Sequence, residues 1–171
     1  ASGPTSRRNE TTLTLEEDVM NRLLALLVAG LLCAGNALAY DQGLAQGYEK
    51  LFAPAAGKAT PKALHLMKTE DFLAAVKAGE EMLILDVRTP AEVALIQFGL
   101  PNTLAIPLNE LFQPENLDRL PAEGKVLVVC KGGHRAMAAA TGLRHIGFEQ
   151  VYVLKLGIAD LAKKVTPKTA H

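Results

Sequence analysis

The sequence predicts one α/β domain with a central, mostly parallel sheet of about five strands and helices on both faces. Runs of β-branched and other apolar residues, above all residues 82–87 and 126–129, alternate along the chain with helical patterns. Such continuous apolar runs are typical of parallel strands that are covered on both faces. An apolar content of 49% in 171 residues is enough to build the core of one domain.

The charges of the chain balance, and this limits the classes of partner. The sequence has 18 Lys and Arg residues against 18 Asp and Glu residues. A formal net charge of zero argues against a nucleic-acid surface and against a disordered acidic tail. No metal or cofactor is predicted, because His65, His134 and His145 are scattered along the chain. We interpret His145 as a helix-surface residue.

The amino-terminal 39 residues are predicted to lie outside the domain. Residues 1–19 are polar and aperiodic, and we interpret them as a disordered prefix, either an expression remnant or an over-extended start. Residues 20–39 have a basic start, an apolar stretch and a small-residue site, which together are typical of a signal peptide. We expect cleavage near Ala39 and Tyr40, export to the periplasm or a similar compartment, and no stable membrane span afterwards. An uncleaved anchor is the alternative, but the apolar stretch is shorter than the ~20 residues that span a bilayer.

The chain has two cysteines, Cys33 and Cys130. Cys33 would leave with the signal peptide; a lipoprotein site there is disfavoured because Leu32 stands where a small residue is needed. The single remaining cysteine cannot form an internal disulfide. In an exported protein, Cys130 is therefore predicted to be a working thiol or to bind a partner's thiol.

The rest of the chain divides into a lead-in segment and linker (residues 40–61), the main domain (residues 62–165) and a frayed tail (residues 166–171). In the domain, Thr69 is a predicted N-cap, and Thr89 and Glu92 form a predicted capping box. The predicted elements, in order, are a lead-in helix at 44–52 whose aromatic residues pack on the domain, a linker at 54–61, a strand at 63–66, a helix at 69–78, a strand at 82–87, a helix at 90–97, a strand at 104–106, helical turns within 109–120, a strand at 126–129, a helix at 135–146, a strand at 150–154 and a helix at 157–164.

Cys130 stands at the carboxyl end of a predicted buried strand, just before a predicted helix. The helix start offers backbone N–H groups without helical partners and the positive end of the helix dipole. The loop between them is glycine-rich and basic, so its N–H groups can converge on an anion. All of these features favour a thiolate over a thiol. The candidate site residues are Cys130 as nucleophile and Lys131, Gly132, Gly133, His134 and Arg135 as substrate-binding residues.

Asp86 and Arg88 flank the end of another predicted strand. In a parallel sheet, this end lies at the same edge as Cys130. An ordinary structural ion pair is one interpretation of the two residues.

Two motifs resemble those of the rhodaneses, which are sulfurtransferases. One is the loop in which four residues separate Cys130 from Arg135. The other is the segment Leu-Asp-Val-Arg-Thr-Pro-Ala-Glu at residues 85–92. The resemblance covers about residues 62–165 and implies a rhodanese-like fold in which Asp86 and Arg88 brace the active-site loop. The chain departs from the family in lacking the usual histidine within residues 98–103, and in having Leu156-Gly157 and Leu161 where the family often has Gly-Gly and tryptophan.

The resemblance implies a double-displacement reaction. Cys130 would attack the outer sulfur of thiosulfate or a similar small anion, sulfite would leave with its charge held by Arg135 and Lys131, and a persulfide would remain. Cyanide, a thiol or a protein sulfur acceptor would then take the sulfur. A sulfur-binding or relay protein with incidental turnover is the alternative. A cysteine-dependent phosphatase or arsenate reductase is disfavoured, because those loops have five residues between cysteine and arginine and this loop has four.

Overall fold

The computed structural model describes residues 19–24 and 39–165, which fall into two compact units. Residues 19–24, which are helical, and residues 39–41 belong to the first unit, and residues 42–165 belong to the second. Most of the predicted signal peptide and the whole predicted tail lie outside the described residues. Within the described ranges, no helix is both long and apolar enough to cross a membrane.

The second unit is built on a five-stranded sheet in which all neighbouring strands are parallel. The spatial order is β1-β5-β4-β2-β3, so the strand that ends at Cys130 is central. This confirms the predicted α/β class. The strands are β1 (Leu66–Met67), β2 (Leu83–Asp86), β3 (Thr103–Ala105), β4 (Val126–Val129) and β5 (Val151–Leu154).

Helices cover both faces of the sheet, because alternate side chains of each strand point to opposite faces. In β4, Val126 and Val128 pack in one apolar cluster with the helix His134–His145 (α6), whereas Leu127 and Val129 pack in a second cluster with the helices Thr69–Lys77 (α3) and Gly157–Lys164 (α7). The helices are α1 (Gln42–Phe52), α2 (Thr60–Ala63), α3 (Thr69–Lys77), α4 (Pro90–Leu95), α5 (Pro114–Leu117), α6 (His134–His145) and α7 (Gly157–Lys164), and a 3₁₀ turn covers Gly57–Ala59.

Local signals placed some helix starts correctly and misplaced others. The capping box at the start of α4 forms as predicted, with Thr89 and Glu92 each bonded to the other's backbone N–H. The predicted cap at the start of α3 is wrong. Lys68 takes the N-cap position, and the Thr69 hydroxyl instead donates a hydrogen bond of 2.6 Å to Asp160 on α7. A long-range bond to a carboxylate has replaced the local one.

From Gln42 onward, the lead-in segment belongs to the same unit as the domain and packs on it. The Tyr48 ring on α1 stacks on His145 at the end of α6, with ring centroids 4.0 Å apart. Gly47 permits this approach, since a Cβ there would lie 2.4 Å from the His145 ring. His145 was interpreted as a helix-surface residue, and the structure shows it half-buried, with α1 packed against its ring. The predicted linker also contains structure, namely the 3₁₀ turn and α2.

Candidate active site

The Cys130 side chain lies on the face of the sheet that α6 covers. The alternation of β4 places it in the same cluster as Val126 and Val128, and the residue is only 1% exposed. Its Sγ accepts hydrogen bonds from the backbone N–H groups of Gly133 at 3.1 Å and Ala136 at 3.4 Å. No side chain caps α6, so N–H groups at its start are available to the sulfur. Two backbone N–H donors therefore converge on the sulfur at the positive end of the α6 dipole.

Gly133 allows the loop to turn toward the sulfur. It stands at the N-cap of α6 with φ of 93°, a left-handed conformation that a glycine adopts without steric cost. A Cβ at this position would lie 3.3 Å from the backbone nitrogen of Leu156. Gly133 therefore serves both the turn and the close approach of the neighbouring loop.

The start of α7 is hydrogen-bonded to the backbone of the Cys130 loop. The Ile158 N–H donates to the Cys130 carbonyl at 2.9 Å, and the Ala159 N–H donates to the Lys131 carbonyl at 3.0 Å. Gly157 makes this contact possible, because a Cβ there would lie 2.2 Å from the Cys130 carbonyl oxygen. The position of the sulfur thus depends on α7 as well as on α6.

We expect Gly157→Ala to destabilise the domain and to disturb Cys130. Gly79→Ala is the matched control, because Gly79 has a similar φ of 70° but open space around its Cβ position, whereas Gly157 has φ of 62° and the clash. Both variants should lose about 1–2 kcal/mol from backbone strain. Gly157→Ala should lose a further ~1–3 kcal/mol from overpacking. Urea unfolding measures both losses, and equal losses would show that α7 does not press on the loop.

The guanidinium group of Arg135 is already bound to a carboxylate of the protein. Its Nη1 and Nη2 groups each donate to one Glu92 oxygen at 2.7 Å, and both side chains are about one-third exposed. The Arg135 hydrogen bond, followed by the Thr89 N–H, lowers the pKa of Glu92 to about 2. The Glu92 carboxylate in turn raises the pKa of Arg135, with a smaller contribution from the nearby Cys130. Because the Glu92 pKa lies below its ordinary 4.5, the pair stabilises the fold above that pH and loses this contribution as pH falls toward 2.

Asp86 and Arg88 form a buried ion pair behind the site, with the two residues 1% and 4% exposed. The Arg88 Nη2 donates to the Asp86 carboxylate at 2.6 Å, and its Nε contacts both carboxylate oxygens. Nη2 also donates to the Ile96 carbonyl at 2.6 Å, just beyond α4, and Nη1 to the Glu92 carbonyl at 3.3 Å. The pair therefore fixes the helix that carries Glu92. Sequence reasoning assigned Glu92 only a capping role, although it stands in the segment that resembles the family motif.

The remaining predicted site residues lie at the outer surface of the loop. Lys131, Gly132 and His134 are exposed, whereas Gly133 and Arg135 are half-buried near the sulfur. Cys130 is free and forms no disulfide among the described residues. In the same ranges, no three His, Cys, Asp or Glu side chains lie together in an arrangement that could hold a metal ion.

A thiol at the start of a helix, on the carboxyl edge of a parallel sheet, defines a domain suited to nucleophilic cysteine chemistry. The chain belongs to the rhodanese-like domain family, whose profile matches residues 68–164. The predicted resemblance is thereby confirmed.

Individual relatives agree with this assignment. The chain is 32% identical over 91 residues to a sulfurtransferase of Allochromatium vinosum, and the match covers 53% of this chain and 81% of that protein. It is 33% identical over 90 residues to the chloroplastic rhodanese-like/PpiC domain-containing protein 12 of Arabidopsis thaliana, covering 52% of this chain and 29% of that one. A rhodanese-related protein from Thermoplasma volcanium matches with a TM-score of 0.51 and 26% identity, over 60% of this chain and 95% of that chain. The family and these names support sulfur transfer as the class of chemistry.

Proposed function

We propose that this protein transfers sulfane sulfur from thiosulfate, or a similar small anion, to a thiophilic acceptor through a Cys130 persulfide. The observation that carries the proposal is the convergence of the Gly133 and Ala136 N–H groups on the Cys130 sulfur. These donors point at the atom that carries the negative charge when Cys130 attacks as a nucleophile. No metal or organic cofactor takes part in the proposed reaction.

The reaction proceeds in two displacements. The Cys130 thiolate attacks the outer sulfur of thiosulfate, a new S–S bond forms, and the S–S bond of thiosulfate breaks to release sulfite. An acceptor nucleophile, such as cyanide or a thiol, then attacks the outer sulfur of the persulfide and regenerates the thiolate. The exposed Lys131 and His134 belong to the same loop, and in this proposal they attract the donor anion.

In this proposal, Arg135 acts from a fixed position. Glu92 occupies one N–H on each terminal nitrogen, which leaves other guanidinium N–H groups for the donor anion. The ion pair therefore orients the arginine and does not remove it from the reaction.

We expect Arg135→Lys to lower kcat/KM for thiosulfate by roughly ten- to a hundredfold, which corresponds to the loss of one charge-assisted hydrogen bond. An ammonium group has no planar fork and cannot hold Glu92 and an anion in the same geometry. Glu92→Gln is the comparison variant. It should lower kcat/KM for thiosulfate by less than about tenfold, because the guanidinium group remains. Unchanged thiosulfate kinetics in Arg135→Lys would reduce Arg135 to a helix-start residue.

The assay that tests the proposed function follows thiocyanate formed from thiosulfate and cyanide, with an aryl phosphate as the alternative substrate. We expect thiocyanate formation and little or no phosphate release. Hydrolysis of the aryl phosphate without thiocyanate would favour a phosphatase. A persulfide that forms but passes its sulfur only slowly to cyanide would favour the relay function.

We also propose that the protein is exported and that its mature chain begins near Tyr40. The support for this is the basic start, apolar stretch and small-residue site of residues 20–39. Amino-terminal sequencing of exported protein tests the proposal. Retention of the apolar stretch would identify it as an anchor instead.

A further inference from the structure

Two lysines stand in line with Cys130 at the carboxyl edge of the sheet. The register pairs Met67 with Leu154, so Lys68 and Lys155 follow side by side, and the Lys155 N–H donates to the Met67 carbonyl at 2.8 Å. The register between β4 and β5 runs to the pair Val128 and Val153, so Cys130 and Lys155 each follow two residues later at the same edge of the sheet. Because adjacent strands lie about 4.8 Å apart, the three residues form one short row.

These lysines are exposed and are not neutralised. Together with Lys131, they make no ion pair with any other residue in the part of the chain that the structure describes. Two carboxylates on the adjoining helices are already engaged, since Glu70 and Asp160 both bind Lys164. Asp71, in the first turn of α3, is a further exposed acidic residue near this row. Counting Lys164 with Lys68, Lys131 and Lys155, four lysines stand against the three carboxylates Glu70, Asp71 and Asp160, so this edge keeps a net positive charge of one.

An exposed leucine completes the surface. Leu156 directly follows Lys155 and is 56% exposed, and its φ of 66° is a left-handed conformation that is unfavourable for a leucine. Its backbone nitrogen lies 3.3 Å from the position of a Cβ on Gly133, whose N–H binds the Cys130 sulfur. A strained, exposed apolar residue beside a reactive group points to a role in binding.

We propose that Lys68, Lys131, Lys155 and Leu156, here called the basic lip, dock an acidic protein segment that carries the acceptor thiol. The proposal rests on the proposed function and names the class of its acceptor. A small acceptor requires neither a lysine two strands away nor an apolar contact. An apolar anchor with a charged rim is the usual composition of a protein interface, and the charge favours an acidic partner.

The transfer needs no further reagent. The partner's thiolate attacks the outer sulfur of the Cys130 persulfide, forms a new S–S bond and breaks the bond to Cys130. The partner leaves as a persulfide, and Cys130 returns to a thiolate. No oxidant or reductant enters the step.

The test uses two dye-labelled synthetic peptides of equal length, each with a leucine beside a central cysteine. One has flanking glutamates and the other has glutamines. Serine versions of both peptides report binding by fluorescence anisotropy, without sulfur transfer. Cysteine versions report transfer from protein preloaded with thiosulfate, and dithiothreitol serves as a neutral small acceptor.

The main variant is K68E/K155E, and its matched control is K50E/K58E, which makes the same charge change on exposed lysines of the lead-in segment. We expect the wild-type protein to prefer the glutamate peptide, and this preference should weaken with added salt. K68E/K155E should lower its binding and transfer by about tenfold or more and leave transfer to dithiothreitol unchanged. The control variant should behave as wild type.

Leu156→Asn separates the apolar contact from the charge, because asparagine tolerates the left-handed backbone. This variant should weaken binding of the glutamate peptide by about three- to tenfold, because the leucine side chain that is partly buried in the complex is lost. Equal binding of the two serine peptides would overturn the proposal that the basic lip docks an acidic segment. Equal losses of glutamate-peptide binding in K68E/K155E and its control would also overturn it. Intact binding preference without any persulfide loading would instead overturn the proposed function and leave the lip as a docking surface.

Discussion

The Cys130→Ser variant should lose persulfide formation and lower sulfur transfer to cyanide by at least about a thousandfold, as expected when a catalytic nucleophile is removed. Cys130 is the only cysteine among the residues that the structure describes. The serine oxygen is nearly isosteric with sulfur and can still accept the N–H groups of Gly133 and Ala136. The domain should therefore remain folded while the reaction is lost.

The control for this experiment is Cys33→Ser in the full chain, which removes the other cysteine of the sequence. It should retain the wild-type rate of thiocyanate formation. If Cys33→Ser loses the activity and Cys130→Ser keeps it, Cys130 does not carry the sulfur. Circular dichroism of both variants confirms that a lost rate does not reflect unfolding.

Arg88→Ala should destabilise the domain by about 3–5 kcal/mol, because it leaves the Asp86 carboxylate buried without its counter-charge. It also removes the donor to the Ile96 carbonyl, which fixes the end of α4. Urea unfolding gives the loss in stability. Because α4 carries Glu92, the variant should also show weaker thiosulfate kinetics at temperatures where it remains folded.

The double variant D86L/R88M provides the informative control. Replacing both members of a buried ion pair by apolar residues of similar volume is often close to neutral, so most of the stability should return. The link to Ile96 stays absent in this variant, and the kinetic defect should persist. A loss below about 1 kcal/mol in Arg88→Ala would show that the pair is not buried as described.

Much of the sheet could be predicted from the sequence, because its strands carry local signals. The central strand β4 is a continuous apolar run, and α7 occupies the predicted residues 157–164. The first strand was predicted at residues 63–66 but forms at Leu66–Met67, because residues 60–63 form α2 and His65 turns the chain with φ of 52°. A left-handed histidine leaves no pattern in apolar residues from which it could be predicted.

The site could be predicted only where local sequence signals exist. The sequence places Cys130 between a strand and a helix, and the structure shows which N–H groups reach the sulfur. The bidentate contact between Glu92 and Arg135 joins residues 43 positions apart and depends on the packing of α4 against the loop. The alignment of Lys68 with Lys155 likewise depends on strand register, which sequence periodicity does not determine.

The central claim is that Cys130 carries the transferred sulfur. The most direct measurement is the intact mass of the wild-type protein after incubation with thiosulfate, followed by peptide mapping, with and without dithiothreitol. We expect the mass of one added sulfur atom, located on the peptide that contains Cys130 and removed by the reductant. An unchanged mass, or an added sulfur on a peptide without Cys130, would contradict the account.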